Sequence, residues 1–164
     1  MAKKNIEDVY TLSPLQEGLL FHSLYSPEAD AYLQHLKFSV RGPLDVRGFE
    51  GAWQRLVARH AILRTSFVWD KQEKPLQVVR REVSLPWQEV DLRGLSAEEQ
   101  ERRLASLVEE DRRRGLDLSK APLLRMTVAR TADEAYECFC AFHHLLTDGW
   151  STSLLIKELF QLYN

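Results

Sequence analysis

The chain has 164 residues, 45% of them hydrophobic and 28% charged, enough for one globular domain with its own core and too few for two ordinary ones. Its 22 basic and 24 acidic residues leave a net charge of −2, so the charge balance points neither to a nucleic acid nor to an anionic membrane surface. No secretory apolar core precedes Ile6, and no apolar run approaches the ~20 residues that span a bilayer, so a cytoplasmic setting is expected.

A short strand is predicted over residues 9–12. Ser13, Pro14 and Gln16 then form a capping-box start, with proline in the first turn of a predicted helix over 14–25. A strand over 32–40 runs into the Gly42-Pro43 break, and a helix over 46–60 follows. That helix carries an apolar stripe of Phe49, Ala52, Trp53, Leu56 and Val57, closed by His60, whose expected role is therefore core packing. Strands over 64–69 and 76–79 flank a turn at 70–75, and 87–90 adds another.

Ser96 and Glu99 have the spacing of a capping box for a helix over 97–114, with Leu104, Leu107 and Val108 facing inward. Arg102, Arg103, Arg112, Arg113 and Arg114 read as its solvated face, the last three also suiting the negative end of the helix dipole. Strands over 123–130 and 136–142 form a hairpin around 131–134. The only two cysteines, Cys138 and Cys140, fall on one face of the second strand, where two buried thiols are expected rather than a disulfide or a metal site. Leu154, Leu155, Leu159 and Leu162 have helical spacing. There is no repeat and no low-complexity linker, and the order implies helices packed on a mixed sheet, a two-layer α/β sandwich.

The run His143-His144-Leu145-Leu146-Thr147-Asp148-Gly149 stands where the last strand gives way to the last helix, and reads as the edge of an acyl-transfer site. Successive side chains on a strand point to opposite faces, so only one histidine can face a given cleft and the two do not share a metal. An imidazole facing a cleft can take or hold a proton near neutral pH. Asp148 can orient that imidazole or lock the turn, and Gly149 permits positive φ or close approach of a substrate to its backbone N–H. Each residue alone also has a structural explanation: a histidine beside an apolar strand packs and hydrogen-bonds, and an aspartate before a helix caps it. The specific signal lies in the whole pattern.

His-His-x-x-x-Asp-Gly, followed by Trp150 and Ser151, resembles the signature of condensation domains of non-ribosomal peptide synthetases, relatives of chloramphenicol acetyltransferase. Two further segments match that family in order: Leu12-Ser13-Pro14-Leu15-Gln16-Glu17-Gly18-Leu19-Leu20-Phe21-His22, and Arg59-His60-Ala61-Ile62-Leu63-Arg64-Thr65-Ser66-Phe67. One departure is Thr11, where relatives commonly carry proline. The resemblance implies a chloramphenicol acetyltransferase-like lobe, in agreement with the sandwich read from the elements. It also implies that peptide-bond formation depends on His144, that His143 and Asp148 are structural at the site, and that Arg64 is the salt-bridge partner of Asp148. A backbone N–H near Gly149 would stabilise the tetrahedral oxyanion.

In this family the domain is a tandem pair of lobes with a tunnel between them, so residues 1–164 are expected to be the N-terminal lobe, folding alone but turning over poorly without the C-terminal lobe. The implied partners are that lobe, an upstream donor and a downstream acceptor carrier protein, and an adjacent adenylation domain. No cofactor or metal is expected to be bound directly; the phosphopantetheine arms come with the carriers. No covalent acyl-enzyme is expected, since there is no Gly-x-Ser-x-Gly elbow. Leu15-Gln16-Glu17-Gly18-Leu19-Leu20-Phe21-His22-Ser23-Leu24 resembles the subtype that joins a D-configured donor to an L-configured acceptor. Epimerisation domains follow the glycine with a different run, and heterocyclisation domains replace the histidines with aspartates. The alternatives are a non-catalytic carrier-docking module and a free-standing acyltransferase.

Overall fold

The computed structural model describes residues 5–25 and 32–164. Twelve segments follow in order: β1 (Ile6–Thr11), α1 (Pro14–Tyr25), β2 (Leu33–Arg41), α2 (Val46–Arg59), a 3₁₀ turn (Ala61–Arg64), β3 (Thr65–Val68), β4 (Leu76–Arg80), β5 (Trp87–Asp91), α3 (Ala97–Arg114), β6 (Leu124–Ala132), β7 (Ala135–His143) and α4 (Gly149–Tyr163). The expected absence of a leader rests partly on residues 1–4, which lie outside the described residues.

The strands divide into two sheets, ordered β2-β7-β6-β5 and β1-β4-β3. In the larger sheet β7 pairs antiparallel with β2 and β6, while β5 joins β6 in parallel, which makes it mixed. The strand pattern implies a single sheet and the structure has two, because alternation records which face of a strand is buried but not which strand it will pair with. The register aligns Leu36 and Met126 with Cys140, Phe38 and Val128 with Cys138, and Leu124 with Phe142. Those side chains share one face, as the period of two requires.

Across that face lie α2 and α4. Phe49 of α2 is fully buried and sets its ring against Phe38, Trp53, Trp87, Phe160 and Tyr163 at centroid separations of 5.5–6.4 Å. Leu56, Val57 and Leu159 complete the seam. Burying an aromatic or aliphatic side chain of this kind contributes ~1.5–3 kcal/mol, so this seam sets the position of α4. The cysteines lie on the same face, both buried and unpaired, and burial pushes their thiols up to about 12.

The opposite face of the larger sheet is covered by α3, capped by the expected reciprocal bonds between Ser96 and Glu99. Asp111 of α3 accepts from Arg125 of β6 and lies 2.7 Å from Nε2 of His35 on β2, all three side chains being at most 10% exposed. Gln100 reaches from the same helix to the carbonyls of Leu92 and Thr131 at 2.9 Å. The capping box at α1 also forms, with Ser13 N–H donating to Gln16 and Gln16 N–H to Ser13.

His60 departs from its expected role. The apolar stripe ends before it, and the imidazole, a third exposed, meets Glu158 of α4 at 2.7 Å. It is a surface tie between two helices, because the backbone has already left helical geometry at the C-cap.

Candidate active site

β7 delivers His143 as its last strand residue, and the chain then turns so that Leu146 N–H donates to the His143 carbonyl at 3.0 Å. His143 is buried. Its Nδ1 accepts the Leu145 N–H at 3.1 Å, so the ring proton resides on Nε2, which faces Ser23 Oγ of α1 at 3.4 Å. Ser23 in turn donates to the Leu19 carbonyl. Burial, with a smaller contribution from the neighbouring His144, pushes the pKa of this imidazole down to about 4. At neutral pH His143 is uncharged, with both nitrogens engaged, and cannot serve as a base.

His144 stands in the turn, half-buried, its backbone N–H donating to the Tyr32 carbonyl at 2.8 Å. Its Nδ1 lies 2.6 Å from the carbonyl oxygen of Thr147. A carbonyl can only accept, so Nδ1 carries a proton, and in the neutral ring Nε2 is the nitrogen with the lone pair. Among the described residues no side chain or backbone group engages that Nε2. The two adjacent histidines are therefore held in opposite tautomers.

Asp148 caps α4, its Oδ1 accepting the Ser151 N–H at 2.7 Å, and that bond holds its carboxyl below the usual carboxylate range. It is exposed, and the expected pair with Arg64 is not formed. Arg64 lies in the 3₁₀ turn, 6% exposed, and points toward the smaller sheet. There it donates to the Ala58 carbonyl at 3.1 Å, to Glu7 of β1 at 2.6 Å and to the Arg80 carbonyl of β4. Through Nε and Nη1, Arg64 ties α2 to β1 and β4. Glu7 gives no local sequence signal for this role, being 57 residues away.

Gly149 opens α4 outside the left-handed region, so the positive φ it permits is not used. A Cβ built on it meets no atom within 4 Å, which leaves space in front of the helix terminus for close approach. Trp150 and Leu154, one turn apart on α4, are 85% and 67% exposed.

Two residues outside the sequence-derived set complete the loop. Thr147 is 8% exposed, and its Oγ1 lies 3.1 Å from Oγ1 of Thr152, which donates to the Asp148 carbonyl at 2.8 Å. The signal that could have found Thr152 is its spacing, four residues after the cap, where a helical hydroxyl bonds back to a carbonyl. Both threonines border an apolar cavity of about 30 Å³ under α4, lined otherwise by Leu36, Leu56, Leu124 and Leu146 among others. Among the described residues no group of three or more His, Cys, Asp or Glu is arranged to hold a metal ion, and no helix is long and apolar enough to cross a membrane. Chemically, the arrangement offers one imidazole whose Nε2 no described group engages, and an open helix N-terminus in the same turn.

The family model for the condensation domain matches residues 6–164. The chain is 46% identical over 160 residues to one of the linear gramicidin synthase proteins of Brevibacillus parabrevis, covering 98% of this chain and 2% of that protein. It is 32% identical over 163 residues to surfactin synthase subunit 3 of Bacillus subtilis (strain 168), covering 99% and 13% respectively. It therefore spans only a small part of the length of these relatives. The starter condensation domain of a rhizomide synthetase superposes with a TM-score of 0.85 at 18% identity, over 96% of this chain and 37% of that one. A four-domain nonribosomal peptide synthetase bound to AMP and glycine superposes at 0.82 with 22% identity, over 96% and 12%. The helices-on-mixed-sheet architecture is thus the chloramphenicol acetyltransferase-like fold of such domains, and the chain belongs to the condensation-domain family of non-ribosomal peptide synthetases.

Proposed function

We propose that this chain is the N-terminal lobe of a domain that forms a peptide bond between two carrier-bound thioesters, with His144 as the residue on which the step depends. The observation that carries the reading is the His144 Nδ1 to Thr147 carbonyl bond of 2.6 Å, which makes Nε2 the lone-pair nitrogen of the neutral ring, with no described group engaging it. The acceptor amine attacks the donor acyl carbon; a carbon–nitrogen bond forms, the carbon–sulfur bond breaks, and the donor carrier's thiol leaves. Nε2 takes the proton that the nitrogen loses as it becomes the amide and passes it to the departing sulfur, or holds the amine in line, with proximity supplying much of the acceleration. The Gly149 N–H, at the open end of α4, donates to the developing oxyanion.

His143, Asp148 and Arg64 are structural in this reading. The substrates arrive on phosphopantetheine arms of an upstream donor and a downstream acceptor carrier protein, and the chain binds no cofactor of its own. The second wall of the site belongs to a C-terminal lobe, consistent with the 37% coverage of the rhizomide starter domain. An adenylation domain adjoins it in the synthetase, in a cytoplasmic setting, and the donor ends in a D-configured residue. The high identity to two gramicidin synthase proteins supports placement in a peptide-assembling synthetase.

The test loads one carrier protein with donor and another with acceptor, and follows transfer by intact-protein mass spectrometry, using this chain alone and the longer synthetase segment that contains it. Transfer by the longer segment, lost on His144→Ala, is expected; unchanged product in that variant removes His144 from the mechanism. Donors ending in D- and L-residues, compared in parallel, decide the subtype. Turnover by the 164-residue chain equal to that of the longer segment defeats the two-lobe reading.

A further inference from the structure

We propose that Thr152 is a positioning residue for His144, acting through Thr147 to hold the imidazole in the tautomer that leaves Nε2 free. The proposal rests on the reading that His144 is the working residue, but its physical content is independent of turnover.

Thr152 has one hydroxyl proton and two oxygen neighbours, the Asp148 carbonyl at 2.8 Å and Thr147 Oγ1 at 3.1 Å. The carbonyl can only accept, so Thr152 donates to it, and the Thr147 hydroxyl supplies the proton for the second bond. Thr147 is 8% exposed, and its hydroxyl would otherwise be left with little water to bond to. The two bonds fix Thr147 and Asp148 to the first turn of α4, a helix whose own position is set by the aromatic seam around Phe49 and Phe160. The Thr147 carbonyl is thereby held at 2.6 Å from His144 Nδ1. Without that anchor, the turn joining β7 to α4 keeps its N-cap but loses the constraint on the peptide that accepts from the ring.

The site tolerates the decisive substitution. Thr152 borders the apolar cavity under α4, so valine, of the same shape, replaces the hydroxyl there with a methyl against leucine side chains. Thr152→Val therefore removes both hydroxyl bonds, the one to Thr147 among them, with little effect on packing, and Thr152→Ser restores the hydroxyl. Thr147→Val removes the same bond from the other end.

The experiment is long-range ¹H–¹⁵N correlation of the histidine rings in the full chain at neutral pH, with the His144 signals assigned by their loss in His144→Asn. The unmodified chain is expected to show a protonated Nδ1 and a pyridine-like Nε2. Loss of the hydroxyl bond to Thr147 lowers the ratio of that tautomer to the other about fivefold in Thr152→Val, where the Asp148 carbonyl is still held by the Thr152 N–H at 2.9 Å. Thr147→Val is expected to match it, the double variant to add nothing further, and Thr152→Ser to stay close to the unmodified chain. His143, with its proton on Nε2, serves as the internal control and should not change. An unchanged His144 tautomer in both valine variants overturns the proposal, as does equal loss in Thr152→Ser. Retained tautomer control with no condensation in the longer segment would count against the functional reading and not against this one.

Discussion

Ser23 Oγ of α1 lies 3.4 Å from Nε2 of His143 at the end of β7, joining the first helix to the residue that precedes His144. Nε2 carries the ring proton there, while Nδ1 accepts the Leu145 N–H, a bond that exists only with His143 neutral. Free imidazole takes up a second proton near 6.5, whereas the buried ring does so only at about 4. Between these values the unfolded chain binds more protons than the folded one, so acid favours unfolding. The stabilisation is complete above 6.5 and is lost as the pH falls toward 4, with a slope of up to ~1.4 kcal/mol per pH unit. Urea unfolding of the chain and of His143→Gln across roughly pH 4.5–7.5 is expected to show this component in the former and not in the latter.

His144 is half-buried and its ring makes a single bond within the described chain, to Thr147. Its removal should therefore cost activity and not stability. His144→Ala in the longer synthetase segment is expected to lower the rate of amide formation by ~10²–10⁴-fold if the ring transfers a proton, while the thermal midpoint stays unchanged. A fall in midpoint that accounts for the lost activity would assign the ring a structural role instead.

On the back of the larger sheet, Asp111 holds both Arg125 and His35. Asp111→Ala leaves Arg125, 9% exposed, without its counter-charge and is expected to cost ~3–5 kcal/mol in denaturant unfolding. Replacing all three side chains by apolar ones of similar volume is expected to recover much of that loss, since the intact cluster also bears the cost of desolvating its charges. The position of α3 over the sheet depends on this cluster, whereas the site on the other face does not, so turnover per folded molecule should be retained.

Arg64 and Asp148 make separate contributions. Arg64→Met leaves the Ala58 and Arg80 carbonyls without their donor and is expected to destabilise the fold by ~1–3 kcal/mol. Asp148→Ala weakens the start of α4 through the lost Ser151 bond and moves the turn that holds His144. A double-mutant cycle on thermal stability should give no coupling between Arg64 and Asp148, and measurable coupling between Arg64 and Glu7. The opposite pattern would restore the pair that the family resemblance implies.

Local signals in the sequence were sufficient wherever the deciding interaction is local. The caps at Ser13 and Ser96, the apolar stripe from Phe49 to Val57 and the one-sided placement of Cys138 and Cys140 follow from spacings of three, four and two residues, and each is present in the fold. The motif from His143 to Gly149 was legible for the same reason, being contiguous. Its hydrogen bonds were not, because the tautomers of two adjacent histidines depend on what each nitrogen meets: a backbone N–H and Ser23 for one, the Thr147 carbonyl for the other. Contacts between distant residues were decided only by the tertiary structure. The division of seven strands into two sheets, the turning of Arg64 to Glu7, and the joining of His35, Asp111 and Arg125 all depend on how separate segments pack. Alternation and helical period specify which side of each segment is buried, and leave its partner open until the segments pack.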